Sequence, residues 1–478
     1  MTPVFQSDAV YGANTGQVTP TTSGSGTATA SDSSFIVTTG TTIYSQGALQ
    51  SRKRLRYRAG QGVIGRFTAR FTTPVAYSYQ IAGFGHAEDG VYIGYREVVG
   101  GNPEFGILYT NRGVREVRTL TISTASSTTE NVTVTLNGVA NTIAVTNSGN
   151  IQRTVWELSI GTYTGWDAYP VGATVVFVRK SAGAASGAYS ISGTTVVGSV
   201  AQTKAGAAET QSWVAQADWN GDRLDGTGAS GATIDPTKGN VFEIGIQYLG
   251  YGSIEFRAEI APSGNNPDFI TIHTIRLPNT LTATSFGNPA FPFTMAAYSA
   301  GSTTDLAVRC GSFAGFIEGP KVLHGNRFSY FNSSTAVDAA NYRALFTVMN
   351  TRYYGGKTNQ SVINLLSVSG ALKHTSPCVF YLFKNASLAG NPNFSAYSSL
   401  SSSLYDTSAT TCSIASNDQL IWTGHLGDTG ELDHHFGNGV YNAEEVTLQP
   451  GEWITLAAKS VTGTPSYVTG SLNTREDQ

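Results

Sequence analysis

Three groups of residues have the types and spacing to do chemistry. Glu255, Arg257 and Glu259 alternate along one run, so in an extended segment they share a face. Paired carboxylates are the machinery of glycosidic bond hydrolysis. Here the central position is an arginine, which would hold both neighbours ionised by pairing, whereas a general acid needs a raised pKa. An unbulged strand also sets residues four apart at roughly 13 Å between Cα atoms. That exceeds the roughly 5–5.5 Å carboxyl separation of a retaining enzyme and the roughly 6.5–9.5 Å of an inverting one. The triplet reads as a surface ion-pair ladder.

The second group is Asp218-Trp219-Asn220-Gly221-Asp222-Arg223-Leu224-Asp225-Gly226. Asp218, Asn220 and Asp222 supply oxygens at alternate positions, as in the first half of a calcium loop, and Asp225 follows as a fourth candidate ligand. Arg223 stands where that loop needs Gly, and Ala229 where it needs a bidentate Glu, which excludes a helix-loop-helix calcium site. An irregular calcium site in a β loop and a turn held by Asp and Asn side chains on backbone amides remain as the two readings. The third group is His425, His434 and His435 with Asp428 and Asp433. Adjacent His434 and His435 point to opposite faces of an extended segment and do not easily share a metal. The sequence has no Gly-x-Ser-x-Gly elbow, complete phosphate-binding Gly-x-x-x-x-Gly-Lys-Ser/Thr loop or His-Glu-x-x-His helix, so no cofactor is expected.

The elements that must position these groups are strands. From Phe35 onward the dominant hydrophobic period is two. Val63, Gly65, Phe67, Ala69 and Phe71 alternate with Ile64, Arg66, Thr68 and Arg70, the pattern of a strand with one packed face. Phe242 to Tyr248 and Ile254 to Ile260 flank Gly250-Tyr251-Gly252 and predict a hairpin. Asn137-Gly138 after Val132 to Leu136 predicts a tight turn. The expected fold is all-β, a multi-domain β-sandwich or jelly roll. Residues 34–119 with 213–319 would form the first sandwich, 120–212 an inserted small β domain anchored by Trp156 and Trp166, and 320–478 a C-terminal sandwich. Strands are expected there at 344–349, 361–368, 379–384, 419–423 and 453–458, with one helical turn at 337–342. Residues 1–33 are rich in Thr, Ser, Gly and Ala and are expected as a flexible arm, because they carry little apolar surface to bury.

Composition narrows the function. Of 478 residues, 13% are charged and the formal net charge is −3, against a usual charged share of roughly 25%. This excludes nucleic-acid binding through an overall basic field and a charge-rich disordered chain. Cys310, Cys378 and Cys412 are odd in number and widely spaced, so they read as buried thiols and not as a disulfide framework. No secretory signal and no apolar run long enough to span a bilayer is visible, so membrane insertion is not expected. Basic residues concentrate at Arg52, Lys53, Arg54, Arg56 and Arg58, and again at Arg112, Arg115 and Arg118. The first strip would meet an acidic neighbouring subunit or an anionic glycan, or form a solvated edge that discourages strand pairing. Tyr353, Tyr354, Tyr397 and Trp422 are candidate contacts for a sugar or host surface, with core packing as the alternative.

Several strings taken together carry a resemblance. Ser51-Arg52-Lys53-Arg54-Leu55-Arg56-Tyr57-Arg58-Ala59-Gly60-Gln61-Gly62, Gly83-Phe84-Gly85-His86-Ala87-Glu88-Asp89-Gly90 and Arg112-Gly113-Val114-Arg115-Glu116-Val117-Arg118 are three of them. With Asp218 to Gly228, Asp235 to Phe242 and Ser471 to Gln478, they resemble a family of virion structural proteins found in aquatic tailed phages and large DNA viruses. The resemblance covers most of residues 35–320 and extends into the C-terminal sandwich. It implies a fibre, spike or minor capsid-type component of the virion with a concanavalin-like jelly roll, and it transfers no catalytic residues. The expected function is therefore a non-enzymatic virion structural protein on capsid or tail, a homotrimer contacting other virion proteins and host surface glycans. A glycan-active hydrolase or lyase and a carbohydrate-binding module are the alternatives.

Overall fold

The computed structural model describes residues 1–96, 103–260, 267–320, 325–373, 376–427, 430–436, 446–462 and 466–477. The regular secondary structure of the described residues is nearly all strand, and the chain divides into two compact units, each assembled from two stretches of sequence: Met1–Gly113 with Ala208–Lys321, and Val114–Ala207 with Val322–Gln478. This confirms an all-β chain of several antiparallel sheets arranged as sandwiches. Among the described residues, no helix is long and apolar enough to cross a membrane.

The first unit stacks two sheets. One runs through Asp268–Ile275, Ile254–Ile260, Asn240–Ile246, Val63–Phe71, Ala307–Cys310, Ser34–Thr38 and Thr27–Ser31. The other runs through Thr210–Ala215, Glu104–Asn111, Gly90–Arg96, Ser78–Gly85, Ala290–Ser299, Gln46–Arg56 and Val18–Ser23. The alternation in Val63–Phe71 is realised residue by residue, with Val63, Gly65, Phe67, Ala69 and Phe71 buried and the intervening residues partly or fully exposed. Phe67, Phe84, Phe293 and Phe313 meet at the centre, where Phe293 and Phe313 stack at 4.3 Å. Gly65 is needed there, because a Cβ would come within 2.0 Å of the Phe84 ring. The expected hairpin is present, with Phe242 opposite Ala258 and Ile246 opposite Ile254.

Residues 1–33 do not form a flexible arm. Thr2–Asp8 pairs with Ser312–Ile317, Val18–Ser23 with Gln46–Ser51, and Thr27–Ser31 with Ser34–Thr38. Two buried anchors, Phe5 against Phe313 at 6.1 Å and Val18 at 0% exposure, fix the segment. Apart from Ser7, which is buried and donates to Gln17, its Thr and Ser side chains stay outside while the backbone satisfies its hydrogen bonds by pairing. Asp32 and Ser33 close the last hairpin at φ +52° and +54°, the left-handed pair that a two-residue turn requires.

In the second unit, Val114–Ala207 builds a four-stranded sheet, a three-stranded sheet and the helix Ile151–Ser159. The Asn137-Gly138 turn joins Glu130–Leu136 to Val139–Val145 with both turn residues at positive φ. The helix escaped the period-two reading. It spans nine residues, and Asn150 caps it by accepting from the Arg153 N–H at 3.0 Å. The described residues between 325 and 477 form a six-stranded sheet, an eight-stranded sheet and a two-stranded ribbon. The five expected strands appear as Tyr342–Asn350, Val362–Leu372, Cys378–Lys384, Leu420–Leu426 and Trp453–Ser460. The helical turn expected at 337–342 is a bend, held by Asp338, whose Oδ1 accepts from the N–H groups of Ala340 and Asn341.

The two tryptophans expected to anchor one small core take separate duties. Trp166 joins the insertion's own core with Leu120, Val134, Leu158 and Phe177. Trp156 turns the other way, stacking on Phe394 at 5.6 Å and meeting Trp453 edge-on at 5.7 Å. The insertion is therefore fastened to the C-terminal sandwich by a shared apolar cluster and by Arg153, which donates to the Leu388 carbonyl at 3.0 Å.

Candidate functional site

Glu255 and Arg257 do form a ladder, which continues onto two further strands, while the expected third member, Glu259, is exposed and outside it. Antiparallel register sets Glu243 opposite both Arg66 and Arg257. Glu243, 3% exposed, accepts from Arg66 Nε at 2.6 Å and from Arg257 Nη1 at 3.1 Å. Arg257 Nη2 reaches Glu255 at 2.6 Å, and Thr271 donates to the other Glu255 oxygen at 2.5 Å. Arg66 also lies 5.0 Å over the Phe269 ring. Burial tends to raise the Glu255 pKa, but Arg257 and Thr271 outweigh it and hold the carboxyl below its usual range. A carboxyl held ionised is the opposite of a general acid at neutral pH. Sequence reasoning missed Glu243 and Arg66, although their places on adjacent alternating strands were a usable signal.

The Asp218–Asp225 loop is tied to its own backbone and to a neighbouring strand. Asp222 accepts from the N–H groups of Leu224 at 3.0 Å and Ser230 at 2.7 Å. Desolvation pushes its pKa up, and these donors bring it below the ordinary value. Asp225 accepts from the Thr227 N–H and hydroxyl, and Asn220 bonds both ways with the backbone of Thr274. Asp218 closes a short 3-10 turn, Gln216–Asp218. Among the described residues, no three His, Cys, Asp or Glu side chains gather to hold a metal ion.

The remaining candidates are dispersed. Arg52, Lys53, Arg54 and Arg56 end the strand Gln46–Arg56, and Arg58 follows it. That strand pairs with Ala290–Ser299 along one side, while its other partner, Val18–Ser23, stops at Ser51. The strip therefore borders a sheet edge, and Arg52 Nε donates to the Thr15 carbonyl at 2.6 Å. Arg112 is bound to the Thr284 carbonyl, and Arg118 to Glu116 and the Tyr189 ring. Tyr353, Tyr354, Tyr397 and Trp422 are all half-buried. Tyr354 donates to the Ser399 carbonyl, Tyr397 to that of Ser329, and Trp422 stacks on His434 at 5.6 Å. His434 and His435 do point to opposite sides of Glu431–His435, with His435 near Asp433 at 3.2 Å; Asp428 lies outside the described residues.

The second unit contains a cleft that sequence reasoning did not find. It occupies about 270 Å3 where the helix end and the strand Trp166–Val171 face the sandwich. Trp156, Tyr163, Trp166, Tyr169 and Trp453 give it an aromatic lining, and Asp167, Lys180 and Arg352 are its charged groups. Trp453 is fixed by donating Nε1 to the Ala386 carbonyl at 2.8 Å, and Tyr163 by donating to that of Leu158 at 2.7 Å. Burial raises the Tyr169 pKa well above its ordinary value, keeping the phenol neutral. Asp167 Oδ2 and Arg352 Nη1 stand 3.6 Å apart with side chains 26% and 33% exposed. Gly451 lies against Arg352 at φ +88°, and a Cβ there would come within 2.2 Å of the guanidinium carbon. The adjacent pairs Trp166-Asp167 and Arg352-Tyr353 were the available signal. Their meeting depends on packing between segments far apart in sequence.

No family profile matches the chain. No curated protein matches it either. Among solved structures, a GH43 glycoside hydrolase engineered for both endo-xylanase and exo-arabinofuranosidase activity superposes with 9% identity and a TM-score of 0.22 over 60% of this chain. This chain spans about a third of that protein's length, 35%. The Faustovirus major capsid protein aligns with 8% identity and a TM-score of 0.13, covering 93% of this chain and 90% of its own. A structure of infectious bursal disease virus, Gx strain, gives 9% identity and a TM-score of 0.11 over 87% of this chain and 81% of its own. These scores are too low to indicate a shared fold.

Proposed function

We propose that the chain is a non-enzymatic structural protein of a virus particle, a fibre, spike or connector on capsid or tail that works as a homotrimer and contacts host glycans. The observation that carries this reading is the four-residue ladder Arg66–Glu243–Arg257–Glu255. The acids best placed by sequence for glycosidic chemistry are instead lateral ties between strands, as befits a protein whose surfaces work by contact. The strings at 51–62, 83–90 and 112–118, through which the chain resembles virion structural proteins, support the same reading. A second reading, a carbohydrate-binding module, is favoured by the aromatic cleft of the second unit.

The test is to purify particles and locate the chain in a reconstruction, with light scattering of the isolated protein for its copy number. Density for the chain on the particle and a threefold mass support the proposal. Absence from purified particles, or release of reducing sugar from a polysaccharide by the purified protein, overturns it.

A further inference from the structure

We propose that the cleft between the insertion and the C-terminal sandwich binds a single sugar ring bearing a carboxylate. This deepens the glycan-contact part of the proposed function and rests on it. The volume, about 270 Å3, lies just under the roughly 300–1,000 Å3 range of small-molecule clefts, so it suits one ring. Trp453 is only partly buried and meets Trp156 edge-on at 5.7 Å, whereas Trp156 and Trp166 are themselves 1% and 3% exposed. Trp453, held by its indole N–H and backed by Trp156, is thus the fixed aromatic surface open to a ligand, and the C–H face of a pyranose is the apolar surface that matches it.

The polar side is set for hydroxyls and one negative charge. At 3.6 Å, Asp167 and Arg352 are beyond the roughly 2.7–3.2 Å of an N–H···O hydrogen bond. The carboxylate therefore keeps capacity to accept from sugar hydroxyls, and the guanidinium keeps N–H groups to donate. Arg352 Nε is shielded from solvent without a hydrogen-bond partner among the described residues. Gly451 lets the guanidinium lie against the backbone, where any side chain would displace it. Lys180, exposed at the rim, adds a second cation. Two cations against one carboxylate favour an anionic ligand, and a planar guanidinium matches the two oxygens of a carboxylate or a phosphate, the two anions that the titration below separates.

Three of the six tryptophans line the cleft, so intrinsic fluorescence reports binding directly. The full-length protein is titrated with a glucuronate-terminated disaccharide, its glucose-terminated counterpart and inorganic phosphate, and the acidic titration is repeated on R352Q, K180Q and G451A. The expected result is a saturable change with the acidic disaccharide, and affinity weaker by about tenfold or more for the neutral one and for each variant, as loss of a charge-assisted contact dictates. No saturable change, equal affinity for acidic and neutral sugars, an equal response to phosphate alone, or wild-type affinity in R352Q overturns it. Should R352Q lose its cooperative melting transition, the exposed K180Q decides. Particle location is read separately, so a sugar-binding protein absent from particles sinks the virion reading alone, and a particle protein blind to glucuronate sinks this one alone.

Discussion

Replacing Glu243 by Gln tests whether the ladder holds the first unit's outer sheet together. The carboxylate is 3% exposed and bonds Arg66 at 2.6 Å and Arg257 at 3.1 Å. Hydrogen bonds to charged groups contribute about 1.5–3 kcal/mol each. Both arginine side chains are 39% exposed, so solvent screens their share, and Gln retains one acceptor oxygen. The net cost is therefore about 2 kcal/mol. For a unit of this size that lowers the melting temperature by about 4–8 °C. Calorimetry should show the first unit's transition move while the second unit's stays in place. Adding R66M closes a double-mutant cycle, because the Arg66 contacts to Phe269 and Phe316 are lost on both of its arms. A coupling of at least about 0.5 kcal/mol is expected. A shift in E243Q below about 1 °C, or a cycle that closes at zero, would refute the reasoning.

Three further outcomes follow from the geometry. F5A removes an anchor that is 7% exposed and should cost about 3 kcal/mol by cavity formation, measured by urea unfolding; an unchanged midpoint would restore the picture of a loose arm. Asp222 and Glu255 have folded pKa values held below their ordinary ones, so the stability they contribute is present at neutral pH and is lost as pH falls through the usual carboxylate range toward the depressed folded values. D222N should flatten the acid limb of a melting-temperature profile, and an unaltered profile would count against the turn role. Burial pushes the thiols of Cys310 and Cys412 up to about 12 and raises that of Cys378, so a thiol reagent at pH 8 should label none of the three until denaturant is added.

The sandwich strands were legible because their buried sets repeat at period two and include large residues, as in Val63–Phe71 and Ile254–Ile260. Strands made of small polar residues were not. Thr27–Ser31 is held by its partner's backbone, and the face it packs on the core consists only of the small residues Ala28 and Ala30. The helix was hidden by its brevity, and its signal was the cap Asn150 with Val155, Trp156 and Leu158 behind it. The ladder was half visible: Glu255 and Arg257 lie on one strand, but Glu243 and Arg66 join them only through register. The cleft was invisible for a stronger reason of the same kind, since Asp167 and Arg352 are brought together by tertiary packing alone.

The boundaries Gly113/Val114, Ala207/Ala208 and Lys321/Val322 carry a consequence for biogenesis. The ribosome delivers the first stretch of one folding unit, then the first stretch of the other, before it completes either. Strands such as Val63–Phe71 must wait for partners such as Asn240–Ile246, exposing unsatisfied edges meanwhile. The first unit stays incomplete until residues 208–321 have followed, and neither unit corresponds to one uninterrupted stretch of the chain.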